Sequence, residues 1–243
     1  MTQAHRYALY LAPVGAWLEL GRQWLGRCAD TGARLIRSDG ADARLEAWTR
    51  EPRRYGLHAT LKAPFRLRDG QRATTLDQAV RALATRHDPF GVPLRCEILR
   101  GFLAWCIDDK RALYRMNALA NDAVTALDAF RSPPTPAELA RRQPQRLSPA
   151  QRQMLDRWGY PYAFETFTFH ITLTGQLDDA SLTAAQEQLA ALNSPALQLP
   201  MPVHAVSLYV EPEPGADFVV ARHYGFDGTT RDGAGARFLC EER

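Results

Sequence analysis

Along this chain, short stretches in which apolar and polar residues alternate are separated by stretches in which apolar residues recur every three or four positions. Residues 6–12 alternate and read as a strand stopped by Pro13. Trp17, Leu20, Trp24 and Cys28 follow at helical spacing, and Leu45 and Trp48 predict a second, short helix. Residues 57–65 read as a strand. Thr75-Leu76-Asp77-Gln78 has the form of a capping box, with Leu76, Ala79, Val80, Leu83 and Ala84 on one helical face after it. Residues 94–107 predict a hairpin turning at Arg100-Gly101, and 112–130 a long helix. Further on, 167–173 reads as a strand, 182–192 as a helix ended by Asn193 and Pro195, and 203–210 and 218–226 as strands.

The two halves of this pattern match. Each runs strand, helix, strand, helix, hairpin, which is the mark of internal duplication. Without a regular parallel βαβ series the fold class is α+β with antiparallel sheets. The expected architecture is one bilobal, pseudo-twofold domain over residues 1–228, its two antiparallel sheets facing a central cleft with helices outside. Residues 229–243 are Gly- and Arg-rich and predict a loose tail.

Residues 131–160 break the duplication. They contain five prolines and six arginines, Arg131, Arg141, Arg142, Arg146, Arg152 and Arg157, against only Glu138 and Asp156. The segment is therefore more positive than the whole 243-residue chain, whose formal charge is +3. So mild an overall charge excludes a protein that coats nucleic acid. A long basic connection next to a strand suggests a lid or rim over an anionic ligand. No apolar run reaches the length of a membrane span. The start of the chain enters strand alternation with no signal-like apolar region, which predicts a cytoplasmic protein. Cys28, Cys96, Cys106 and Cys240 show no C-x-x-C spacing and predict free thiols rather than a zinc or redox site.

The chemistry is carried by a repeated tetrapeptide. The matching strand of each half holds His-x-Thr-Leu, as His58-Ala59-Thr60-Leu61 and as His170-Ile171-Thr172-Leu173. At this composition only ~0.04 such matches are expected by chance. Side chains two apart on a strand share a face, so each strand presents one imidazole and one hydroxyl together. Leu57, Ala59, Leu61, Phe169, Ile171 and Leu173 then face a core. Two histidines and two threonines meeting at a cleft suit phosphodiester cleavage. One imidazole accepts a proton from the attacking oxygen and the other protonates the leaving oxygen, while the hydroxyls donate to non-bridging oxygens. The scheme needs no metal and no cofactor, and no histidine or acid cluster has ligand spacing.

Paired H-x-T motifs in a duplicated α+β chain resemble the 2H phosphoesterase superfamily. The surroundings, residues 55–65 (Tyr55-Gly56-Leu57 onwards) and Trp158-Gly159-Tyr160-Pro161-Tyr162, are more specifically similar to a bacterial branch encoded beside phosphonate-utilisation genes. The resemblance implies catalytic roles for His58 and His170 and phosphate binding by Thr60 and Thr172.

Three further positions complete the expected site. Lys62 is two residues beyond Thr60 on the same nominal face, at the cleft mouth. Tyr10, on the first strand, offers a ring for stacking, and Arg141 and Arg142 belong to the basic segment. The reading is a metal-independent, monomeric phosphoesterase of a small, cyclic phosphodiester such as a 2′,3′-cyclic nucleotide or a cyclic sugar phosphate, acting on that substrate or on an RNA end and on no membrane. The alternatives are a non-catalytic module binding a phosphate ligand or RNA end, and an RNA 2′,5′ ligase-like activity.

Overall fold

The computed structural model describes residues 3–37, 43–192 and 195–240. A first series runs β1 (Arg6–Leu11), α1 (Gly15–Leu25), the short helices α2 (Ala43–Trp48) and α3 (Arg50–Arg53), β2 (Ala59–Phe65), α4 (Ala73–Ala84), β3 (Phe90–Val92) and β4 (Leu94–Leu99). A second runs β5 (Phe102–Ile107), α5 (Lys110–Ala126), the inserted helices α6 (Pro136–Arg141) and α7 (Pro149–Trp158), β6 (Ile171–Thr172), α8 (Asp179–Ala191), β7 (Met201–Val203) and β8 (Ala205–Glu211). Two more strands follow, β9 (Val219–Gly225) and β10 (Thr230–Asp232).

The protein is α+β. An eight-stranded antiparallel sheet has the order β10-β9-β8-β1-β2-β6-β5-β4, and β3 pairs with β7 in a smaller sheet. Exchanging β1 with β5, β2 with β6, β3 with β7 and β4 with β8 maps β8-β1-β2-β6-β5-β4 and the β3–β7 pair onto themselves. The last strand of each series lies beside the first strand of the other. The hairpin at Arg100-Gly101 therefore links the two series instead of closing the first. Its two-residue turn has φ of 51° and 86° at those residues, the positive pair that a tight hairpin requires.

The two half-sheets are continuous rather than separate. They join edge to edge through Ala59↔Ile171, which pairs backbone groups that two free edges would leave open. The cleft consequently lies over one face of a joined sheet. The other face carries the core. Leu9, Leu11, Ala59, Leu61, Leu103, Trp105, Ile171 and Leu173 are buried there in one cluster with residues of α4, α5 and α8.

Local departures have local causes. The helix α4 starts at Ala73, two residues before the expected box, and the Thr75 hydroxyl donates to the Arg72 carbonyl at 3.2 Å instead of capping. The second motif strand is ladder-paired only at Ile171 and Thr172, and α8 ends at Ala191; Asn193 lies outside the described residues. The segment 131–160 is helical, each of α6 and α7 opening on proline behind a complete capping box.

The tail is not loose as far as Cys240. β10 pairs with Arg222, His223 and Tyr224 of β9. Residues Ala236–Leu239 form a 3-10 turn that buries Phe238 and Leu239 in the main core. The Tyr7 hydroxyl also donates to the Phe238 carbonyl at 3.3 Å. Two apolar anchors hold a segment whose Gly and Arg content reads as mobile. Among the described residues no helix is long and apolar enough to cross a membrane.

Candidate active site

The register Ala59↔Ile171 sets His58 beside Thr172 and Thr60 beside His170. Ala59 and Ile171 point into the core, so these four side chains occupy the opposite face as an alternating square. The two imidazoles are diagonal neighbours, which places their strand positions about 7–8 Å apart. All four line one cavity of about 340 Å³.

The two imidazoles are held alike. His58 Nδ1–H donates to the carbonyl of Gly56 at 2.9 Å, and His170 Nδ1–H donates to that of Thr168 at 2.8 Å. Each ring thus bonds the backbone two residues before it. This fixes the tautomer that leaves Nε2 unprotonated in the neutral ring. The Thr60 hydroxyl donates to His58 Nε2 at 3.3 Å. Gly56 makes this geometry possible: its φ is 73°, and a Cβ there would lie 2.5 Å from the Ala29 Cβ.

Burial dominates the electrostatics. It draws the His58 pKa down to about 4, against the raising effect of the Gly56 bond, and the charge of His170 lowers it further. Burial also lowers His170, with Arg100 acting in the same direction. Both rings are therefore neutral near pH 7 when the cavity holds no anion.

Lys62 does not face this cavity. β1 pairs Tyr10 with Thr60 but Leu9 with Lys62, so one extra residue of β2 is inserted between them. Leu9 belongs to the core face, and this bulge turns Lys62 towards α5. Its ammonium donates to the Val124 carbonyl at 3.1 Å and to Asp128 at 3.4 Å. The side chain is buried, and burial pulls its pKa down to about 8.

Tyr10 also differs from expectation. Its ring stacks on His58, with centroids 3.9 Å apart and planes at 25°, and Tyr209 packs beside it at 4.9 Å. Tyr10 is one of the residues lining the cavity, but with only 1% of the residue exposed its ring serves mainly to support the imidazole. Of the two expected arginines, Arg142 reaches the cavity, its guanidinium 5.0 Å above the Tyr160 ring. Arg141 lines an adjoining cavity instead.

The structure adds Arg6, Tyr55, Phe102 and Tyr160 to the cavity wall. Strand alternation already puts Arg6 on the face of Tyr10, and Tyr55 and Tyr160 stand within the two stretches that flank the motifs. Phe102, just after the hairpin turn, packs 5.7 Å from the His170 ring and had no signal of its own. The remaining described histidines lie outside this cavity. Among them, His223 bonds Ser207 at 2.7 Å and Asp30 at 2.5 Å across the far strands, and His87 pairs with Asp122 at 3.0 Å.

Two curated relatives match most of this chain. Both are named ribose 1,5-bisphosphate phosphokinase PhnN. The protein from Laribacter hongkongensis is 37% identical over 89% of this chain, and that from a Janthinobacterium species is 36% identical over 92%. In each case the match covers 51% of the relative, so the chain spans about half their length. Among solved structures, Kluyveromyces marxianus Usb1 aligns over 90% of this chain and 99% of its own, with a TM-score of 0.39 and 9% identity, a likeness too slight to argue from. Residues 60–219, which include the first motif threonine and the whole second motif, match the family described as "Protein of unknown function (DUF1045)", and the chain belongs to that family.

Proposed function

We propose that this protein is a phosphoesterase of the two-histidine type that hydrolyses a small, cyclic phosphodiester. The observation that carries the reading is the alternating square of His58, Thr172, His170 and Thr60, with each imidazole tied by Nδ1 to the carbonyl two residues before it. The bonding is duplicated across the pseudo-twofold, whereas a structural histidine needs no counterpart.

The depressed pKa of His58 suits it to the role of base. Water attacks phosphorus in line with the ester oxygen. His58 Nε2 takes the proton of the water as the new P–O bond forms, and the opposite P–O bond breaks. His170 enters protonated, because a bound phosphodiester anion raises the pKa of the ring beside it. Its Nε2–H passes to the leaving alkoxide. Thr60 and Thr172 donate to the non-bridging oxygens as charge develops. Each histidine ends in the other's starting state, and proton exchange with solvent resets the pair.

The names of the relatives support a phosphorylated, ribose-like substrate. Their kinase activity belongs to proteins twice as long. The only lysines here, Lys62 and Lys110, stand in no G-x-x-x-x-G-K-S/T loop.

The test is a screen of 2′,3′-cyclic nucleotides and cyclic sugar phosphates with the wild type, His58→Ala and His170→Ala. Each substitution is expected to lower kcat by ~10²-fold or more, with a bell-shaped kcat/KM profile in the wild type. Activity is expected to survive exhaustive chelation. Near-normal turnover by either variant refutes the paired mechanism, and binding without turnover by the wild type identifies a non-catalytic module.

A further inference from the structure

A second cavity adjoins the histidine cavity, and the two share Arg6, Tyr55, Pro64 and Arg142 as walls. Its volume is about 270 Å³. Six arginines line it: Arg6 from the start of β1, Arg54 after α3, Arg66 after β2, and Arg131, Arg141 and Arg142 from the inserted segment. Parts of the chain far apart in sequence thus converge on one space.

The carboxylates nearby are fewer. Glu211 is fully buried and accepts from both Arg6 and Arg54, Asp128 accepts from Arg131 at 2.8 Å, and Glu138 accepts from Arg66 at 3.4 Å. They orient guanidiniums without balancing them. Arg141 has no ion-pair partner among the described residues. Gathering like charges costs energy unless an anion completes the group, and a guanidinium fork matches a phosphate oxygen pair.

We infer that this cavity seats a second phosphate of the substrate, a phosphomonoester on the same small molecule whose phosphodiester lies between His58 and His170. The inference rests on the phosphoesterase reading and narrows its substrate to a cyclic phosphodiester of a phosphorylated sugar. The diester alone carries one charge, and the two histidines and two threonines already meet it. The shared wall sets the two cavities side by side, as a small molecule with two phosphates requires. The inserted segment, with no counterpart in the first series, supplies three of the six arginines, so the duplication is broken where a substrate without symmetry needs it.

The experiment compares kcat/KM for 2′,3′-cyclic AMP, for the same compound carrying a 5′-phosphate, and for a dinucleotide ending in a cyclic phosphate. The wild type is expected to prefer the 5′-phosphorylated mononucleotide by ~30-fold or more, less so at high salt. Arg141→Ala and Arg66→Ala should each shrink that preference several-fold. Arg141→Ala is the cleaner variant because the side chain holds nothing else. Equal rates for the two mononucleotides overturn the inference while leaving the histidine chemistry intact, and a faster dinucleotide overturns it in favour of an RNA end. Calorimetric titration of ribose 5-phosphate against ribose reads the cavity without turnover. Binding that requires the phosphate, survives in His170→Ala and fails in the double arginine variant supports the inference, and absence of binding to the wild type overturns it.

Discussion

Acidification should destabilise this fold through the two imidazoles of the cavity, and His58 gives the effect a size. In the unfolded chain a histidine titrates near 6.5, and in the folded protein burial has moved His58 to about 4. Between those values the unfolded state holds more protons than the folded one, so stability falls as pH falls. At pH 5 the unfolded ring is almost fully charged and the folded ring about one-tenth charged; from pH 7 to pH 5 the difference costs about 2 kcal/mol. The loss levels off below pH 4, once the folded ring is charged as well. Carboxylates titrate in the same range, so the measurement must be a difference. Urea unfolding of the wild type and of His58→Gln at pH 7 and pH 5 isolates it, because glutamine carries no charge at either pH. The wild type should lose about 2 kcal/mol more than the variant over that interval. Parallel losses, or a ring titration for His58 centred at 6.5 by proton resonance, would refute a desolvated, neutral imidazole. Saturating inorganic phosphate should shrink the loss if the anion sits between the two rings, since it raises both pKa values.

Two further outcomes follow from the parts of the structure that departed from the sequence pattern. Lys62→Met should remove a rise in stability between pH 8 and about 10.5, because a lysine with a folded pKa near 8 binds fewer protons there than its unfolded counterpart; KM should stay put, and a large KM increase would return Lys62 to the ligand site. Removing residues 229–243 should destabilise the protein by several kcal/mol, since it strips Phe238 and Leu239 from the main core as well as β10; an unchanged urea midpoint would show that the segment is an ornament.

What was legible depended on how local the cause was. The face of a strand follows from counting by two, so His58 could be placed with Thr60, and His170 with Thr172, from spacing alone; bringing the two pairs together took the duplication as well. Counting fails where the ladder slips. The bulge beside Leu61 depends on how β1 meets β2; Pro64, a residue that a central strand tolerates only beside an irregularity, was the one local signal, and it does not say which position slips, so Lys62 was expected on the wrong face. Likewise the duplication was visible as an order of elements, but whether two half-sheets stay separate or fuse is decided by their edges. A single pair, Ala59↔Ile171, makes that choice.

The same edge explains why the site needs both halves. On either strand alone, the nearest neighbours of the histidine on its face are its own threonine and solvent. Antiparallel fusion brings the second His-Thr pair in reversed order, so each imidazole gains a hydroxyl from the other strand and a partner imidazole across the diagonal. A parallel junction would set histidine directly beside histidine and threonine beside threonine, with both bases on one side of a bound phosphate. An in-line displacement needs its proton acceptor and donor on opposite sides of phosphorus. The antiparallel pseudo-twofold is therefore the arrangement that, under the proposed mechanism, gives two copies of one strand motif the opposed acceptor and donor that such a displacement needs.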